Sequence, residues 1–482
     1  MFLGFQEGKE KGLVRKGQTC EKPAGEKFTE MRKNMFRKWG YIACAALMLL
    51  CQGCGKNNMD TASDTMHNRE RQGRKGQAVT VPTVSENGGA KGETTEEMRG
   101  KRWITKLSGK AGLQTFSADT ADFAIALLRQ TCETEQGNVM ISPVSVLSAL
   151  SMTAGGAKGD TQSQMLSVLG RGQDMDSLNR NIKAWRDGLI HTDGADVSLA
   201  NAIWFPEEKE SFTPKAEFLE TSSYYFDAEI RQAPFDESVL NEINNWTKEK
   251  TKGLIPKILD GVQGDAVMYL INAAAFEGRW RNPYTESSVR QGIFTNRAGE
   301  QKEALMMSST EKIYIEGENA VGFVKPYEAG YSFVALLPAE GMTPEEYINT
   351  LDGRRFRSLL AEASQESVHV VLPRFEAEFT VQMQEVLAAM GMEDAFDPGR
   401  ADFSGMGESG TEGICISRVI HKTYISVDEQ GTKAGAATAV EMKRAMAPVP
   451  MREVCLDRPF VYAIVENSTN IPVFIGILND PA

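Results

Sequence analysis

The chain has 482 residues, 41% hydrophobic and 24% charged, enough apolar material for a sizeable core, which excludes a disordered or collagen-like protein. Its formal charge of −12 is unevenly placed: residues 114–482 hold 32 basic against 53 acidic side chains, while the first 113 residues are net basic. A body this acidic repels phosphate backbones and anionic head groups, so composition argues against nucleic acid and for a protein partner. Seven cysteines are present, but only Cys132, Cys415 and Cys455 lie in that body. An odd, widely spaced trio without CxxC spacing makes neither a disulfide framework nor a metal site.

The chain begins with a tail. From Met31 or Met35, either of which could be the true start, it reads MRKNMFRKWG, placing Arg32, Lys33, Arg37 and Lys38 before an apolar run from Tyr41 to Leu50. A basic flank and a short apolar stretch describe a secretory signal over residues 1–53, and the run is too short to span a bilayer. Cys51-Gln52-Gly53-Cys54 follows. Gly53-Cys54 resembles a bacterial lipobox, which makes Cys54 the expected first mature residue and the one that carries lipid. Cys51 stands where Leu is usual, and an ordinary cleaved signal with incidental cysteines fits the same stretch. Residues 54–113 are rich in Gly, Asn, Thr, Lys and Glu, lack apolar periodicity, and read as a flexible tether. The expected location is therefore secreted or in the cell envelope, on an extracellular or periplasmic face, with membrane contact only through a lipid anchor.

The globular reading covers residues 114–482. Phe116, Phe123, Leu127 and Leu128 fall at helical spacing, with Ser117 or Asp119 available as N-cap. Ser142-Pro143 predicts a helix to about Ala154, the Gly155-Gly156 pair ends it, and Asp160 or Thr161 opens another. Strands are expected at residues 197–205, 268–276, 331–338, 368–379, 421–427 and 460–478. Helices dominate early and strands late, an α+β arrangement without regular βαβ alternation.

Catalytic signatures are missing. The sequence holds no GxSxG elbow, HExxH, P-loop or GxGxxG after a strand. His67, His191, His369 and His421 lack metal-ligand spacing, and no cysteine sits in a recognisable catalytic setting, so no enzyme activity, metal or cofactor is expected. The Gly-rich stretch 405–413 lacks a Lys after its glycines and reads as a loop.

The unusual residues are Glu429 to Ala447, EQGTKAGAATAVEMKRAMA. Thr432, Ala434, Ala436, Thr438, Val440 and Met442 are small or apolar and alternate with Lys433, Glu441 and Lys443, the pattern of a strand that buries one face. Alanines make poor isolated strands, so the pattern and the propensity conflict. That conflict suggests two states, a mobile loop and an inserted strand. Composition alone favours a low-complexity linker.

The rest of the chain reverses that preference. In order along the sequence come NVMISPVS (138–145), GAKGDT (156–161), LANAIWF (199–205), NWTKEKTKGLI (245–255), INAAAFEGRW (271–280), VLPRF (371–375), MGMEDAFDPGRADFSG (390–405), HKTYISVDEQGT (421–432) and DRPFVYAIVENSTNIPVFIG (457–476). Together these resemble the serpin family across nearly the whole of residues 114–481. The resemblance implies three β-sheets, about nine helices and an exposed reactive-centre loop that is bait for a serine protease, with cysteine proteases as a second class. It also implies that the cut loop inserts into the largest sheet and carries the acylated protease with it.

Individual residues follow from the same resemblance. Glu429, Gly431, Thr432, Ala434, Ala436 and Ala437 match the loop's hinge, and Thr432, Ala434 and Ala436 offer nothing bulky or charged to obstruct entry. Asn272 and His421 match a latch that closes the two central strands over Ser142 and Ser145, although ordinary buried hydrogen bonding explains such residues equally well. Arg374 and Glu429 match an ion pair at the loop's base, and Trp280 an aromatic where insertion begins. Counting from Gly431 places the scissile bond between Ala445 and Met446, which suits an elastase-like or subtilisin-like enzyme, whereas Arg444 one residue earlier suits a trypsin-like one. Lys433 departs from the family's usual acidic residue but falls on the solvent face. The expected assembly is a monomer that forms a covalent complex with its target.

Overall fold

The computed structural model describes residues 77–78, 110–190, 194–207, 212–262, 266, 268–409, 414–432 and 451–481. The chain falls into two units, Met1–Gln72 and Gly73–Ala482, and every described residue belongs to the second. Cys54, His67 and His191 lie outside the described residues, as does most of the expected tether.

Nine α-helices occur among the described residues, in keeping with an α+β class. The first, α1 (Lys110–Thr134), begins earlier than its apolar spacing suggested. Neither Ser117 nor Asp119 caps it: Ser117 is buried mid-helix, and Asp119 instead accepts from the Gln173 amide at 2.9 Å. Lys, Ala, Leu and Gln ahead of Phe116 are good helix formers, and Phe116 packs edge-on against Trp185, so nothing stops the helix there. α2 (Pro143–Ala154) starts where Pro occupies its first turn, and almost all of its residues are buried. α3 (Gly159–Gly170) opens on Lys158, with Asp160 in its first turn near the positive end of the dipole. α4 (Met175–Ile190), α5 (Ala216–Phe226) and α6 (Glu237–Lys250) precede the main run of strands, and the short α7 (Pro344–Asn349), α8 (Gly353–Ala361) and α9 (Gln384–Ala389) follow.

Among the described residues nineteen strands form three large sheets and a two-stranded ribbon of β4 (Phe212–Pro214) and β14 (Gly407–Ser409). The seven-stranded sheet runs β1 (Gln77–Ala78), β5 (Glu229–Ala233), β3 (Ala195–Pro206), β6 (Tyr269–Arg279), β16 (Gly431–Thr432), β15 (Ile420–Val427) and β13 (Phe375–Gln382). The six-stranded sheet runs β2 (Val139–Ile141), β19 (Ile471–Leu478), β18 (Phe460–Glu466), β11 (Tyr331–Pro338), β10 (Ala320–Pro326) and β9 (Tyr314–Glu316). The four-stranded sheet runs β17 (Arg452–Cys455), β12 (Val368–Pro373), β8 (Gln301–Glu311) and β7 (Val289–Thr295). β11 and β19 are buried along their whole length and supply much of the core.

Two expected strands divide. The run 368–379 breaks at Arg374, so that β12 joins the four-stranded sheet and β13 the seven-stranded one. Pro373 has no N–H for a further ladder bond, and the Arg374 N–H turns to the Leu305 carbonyl at 2.7 Å. The run 460–478 is a hairpin, with Asn470 taking the left-handed conformation at φ 55° that Asn tolerates better than most residues.

Candidate functional site

The two long central strands of the seven-stranded sheet, β6 and β15, are separated by β16, which is only two residues long. β6 pairs with β3 through a long antiparallel register, Ala195 opposite Gly278 to Trp204 opposite Tyr269, and β15 pairs with β13 from Phe375–Val427 to Gln382–Ile420. Among the described residues only Gly431 and Thr432 stand between them, paired to Arg279 and Gly278 on one side and Thr432 to Val427 on the other. Below that rung no paired register joins β6 to β15 among the described residues. The sheet therefore carries a seam along its middle, opened at one end by the beginning of a strand.

The seam's upper end is built from the turn that leaves β15. The Asp428 carboxylate accepts the N–H groups of Gln430 and Gly431 at 2.8 and 3.0 Å, which fixes the reversal from β15 into β16. Three donors from the opposite side hold the turn's carbonyls, each at 2.9 Å: Trp280 Nε1 to Asp428, Tyr284 N to Glu429 and Trp280 N to Gln430. Gly431 has to be glycine, because a Cβ there would stand 2.0 Å from the Gly278 carbonyl oxygen. Thr432 is 1% exposed, and its hydroxyl lies 2.5 Å from the phenol of Tyr327, whose pKa burial drives up. Trp280 stacks on Tyr327 at 4.4 Å, and Phe276 meets the same ring edge-on at 4.9 Å. Arg374 and Glu429 stand 3.6 Å apart, but they are 51% and 26% exposed, so the pair contributes under about 1 kcal/mol.

The lower part of the seam differs from what the matched residues implied. His421 Nε2 accepts the Ser142 N–H at 2.9 Å, and Ser142 Oγ donates to the Val473 carbonyl at 3.0 Å. Asn272 does not reach across to His421. It donates to Asn201 on β3, which in turn donates to the Phe226 carbonyl at 2.7 Å, because β6 is fully paired to β3 and the two asparagines face each other in register. Ser145 is buried beside them with its Oγ unbonded. Thr423, which the sequence reading passed over, donates to the Met140 carbonyl at 2.9 Å; its place two residues after His421 on one strand face was the available signal. His421 and Thr423 together tie β15 to the β2–α2 corner, while Asn272 belongs to the other bank. Burial alone drives the His421 pKa down to about 3, so the imidazole is neutral and its Nε2 is an acceptor. A cavity of about 70 Å³ lies beneath, lined by Thr153, Tyr269, Ile271, Phe403 and Ile420.

Hinge positions Ala434, Ala436 and Ala437, and Arg444, Ala445 and Met446 around the expected scissile bond, lie outside the described residues. The described residues break off in the seven-stranded sheet at Thr432 and resume at Met451, just before β17, which runs parallel to β12 in the four-stranded sheet. Burial raises all three body thiols, Cys132 to about 12 and Cys455 to about 11, so they are poor sources of thiolate. Among the described residues no cluster of His, Cys, Asp and Glu has the makings of a metal site.

This architecture can be set beside known proteins. The family model described as Serpin (serine protease inhibitor) matches residues 118–481. The chain belongs to the serpin family. Its relatives include the bovine (Bos taurus) leukocyte elastase inhibitor, 34% identical over 390 residues that cover 77% of this chain and 100% of that one. The native state of tengpin, a thermophilic serpin, superposes with a TM-score of 0.72 at 44% identity, covering 76% of this chain and 94% of that one. Human thyroxine-binding globulin in its complex with thyroxine superposes with a TM-score of 0.69 at 25% identity over 77% of this chain and 100% of that one. The sheets and helices above are thus the serpin fold, and the seam lies in that fold's largest sheet.

Proposed function

We propose that this serpin inhibits serine proteases as a single-use substrate, inserting its cut loop along the seam between β6 and β15 and so trapping the acylated enzyme. One observation carries the reading: Gly431 and Thr432 already occupy the top rung of a gap between β6 and β15 below which, among the described residues, no ladder joins the two strands. Each residue added downward pairs open strand edges on both sides. At about 0.5–1.5 kcal/mol per net hydrogen bond, a dozen newly paired residues release on the order of 10 kcal/mol. The native form is then held kinetically. The small side chains of Ala434 and Ala436 leave entry unobstructed.

Ala445 before the scissile bond fits a small specificity pocket, and the relationship to an elastase inhibitor supports an elastase-like target. Arg444 extends the range toward trypsin-like enzymes. Cleavage before Cys54 and its acylation would put the inhibitor on the cell envelope, with the stretch between Cys54 and α1 as spacer, apart from the two residues of β1, and the body as a monomer. The test is to mix the purified body with pancreatic elastase: an adduct that survives SDS, whose released peptide begins at Met446, is expected. A second reading, a binding or carrier module, is favoured by the likeness to thyroxine-binding globulin. Loop cleavage without adduct by every protease class tried would select it.

A further inference from the structure

The three large sheets meet at a buried pair of opposite charges. Lys325 on β10 of the six-stranded sheet and Glu311, the last residue of β8 in the four-stranded sheet, approach to 2.7 Å with side chains only 1% and 5% exposed. No other ion pair among the described residues has both side chains buried. Such a pair is expensive to desolvate, and apolar residues of like volume generally serve stability as well or better. Its surroundings show what the charges hold. Lys325 Nζ donates to the Asn282 carbonyl at 3.1 Å, in the segment leaving β6, and lies 4.2 Å from the Tyr284 ring centroid and 5.3 Å from that of Trp280. Ser309 Oγ donates to Glu311 at 2.6 Å.

Trp280 and Tyr284 supply all three of the hydrogen bonds that suspend the carbonyls of Asp428, Glu429 and Gln430. Tyr327, two residues beyond Lys325, stacks on Trp280 and meets the Thr432 hydroxyl. The ammonium therefore sits directly behind the platform from which the loop's base hangs. We infer that Glu311 and Lys325 are positioning residues for loop insertion: their charge pair pins the Trp280–Tyr284 platform, keeps the loop's base at its first rung, and slows strand entry until the loop is cut. This rests on the insertion reading above.

The test nicks the loop with thermolysin, a metalloprotease that forms no acyl-enzyme, and follows insertion by stopped-flow tryptophan fluorescence and by the gain in heat resistance. Lys325→Met alone strands a buried carboxylate and can prevent folding, so the main variant is Glu311→Gln with Lys325→Met. The double variant is expected to insert about tenfold faster after nicking, and to convert spontaneously to an inserted, inactive form about tenfold faster when intact, while its urea midpoint moves little. Lys325→Arg, which keeps the charge, should restore the natural rates. Should the double variant not fold, Ser309→Ala, which loosens Glu311 by one bond, should speed insertion about threefold. A natural chain that gains heat resistance on nicking, with variants that insert at its rate or change only in parallel with their urea midpoints, overturns the positioning role alone. A natural chain that gains none overturns this role and the insertion reading together.

Discussion

Replacing Thr432 with Arg perturbs insertion at its first rung. The natural hydroxyl is buried against the Tyr327 phenol, and its loss leaves that phenol unpartnered at about 1–3 kcal/mol. A guanidinium in the same place is an unpaired buried charge that costs several kcal/mol more. It escapes only if Gly431 and Thr432 withdraw from the sheet, which removes the rung from which pairing propagates. An added barrier of about 3–4 kcal/mol slows insertion by roughly 10²–10³-fold. Every acyl-enzyme then chooses between insertion and hydrolysis, so the inhibitor consumed per protease inactivated is one plus the ratio of hydrolysis to insertion rates. If the natural chain inserts about ten times faster than it hydrolyses, the stoichiometry climbs from about 1 to at least about 10 in Thr432→Arg. Titration against elastase, with SDS gels resolving adduct from cleaved inhibitor, reads this directly. An unchanged stoichiometry with undiminished adduct would refute entry through Thr432.

Other consequences are open to measurement. His421 is neutral in the native state with a pKa near 3, whereas in the unfolded chain it titrates near 6.5. The unfolded state alone takes up the proton, so stability present above that pH is lost as pH falls toward 3, by about 2 kcal/mol at pH 5. The stability difference between the natural chain and His421→Gln, from urea unfolding, should shrink by that amount between pH 7.5 and 5, and a constant difference would contradict the assignment. Thr423→Val removes the donor to the Met140 carbonyl and should lower native stability by about 1 kcal/mol, again by urea unfolding. Cys54→Ser should shift the expressed protein from membrane to soluble fractions, and an unchanged distribution would dismiss the lipid anchor.

The sequence exposed the parts whose physics is local. The Pro at the start of α2, the alternation in β15 and the apolar runs of β6 and β11 can all be read from neighbours alone. The break at Arg374 was harder, because Pro373 reads equally as an edge residue, and only the Leu305 carbonyl shows where the chain turns. Asn272 was matched with His421 to a latch between the central strands, but its hydrogen bond goes to Asn201, a partner decided by the β3–β6 register, 71 positions apart, that no periodicity encodes. The Glu311–Lys325 pair was invisible for the same reason: a lysine between Val324 and Pro326 looks like an exposed strand residue until a second sheet covers it.

The central claim is that the intact body stores energy which the cut loop releases by entering the seam. The most direct measurement is the melting temperature of the body before and after a single cut between Gly435 and Met446, made with a protease that is then removed. About 10 kcal/mol of new pairing predicts a rise on the order of 10 °C. A cut form that melts at the temperature of the intact one, or below it, would contradict the account.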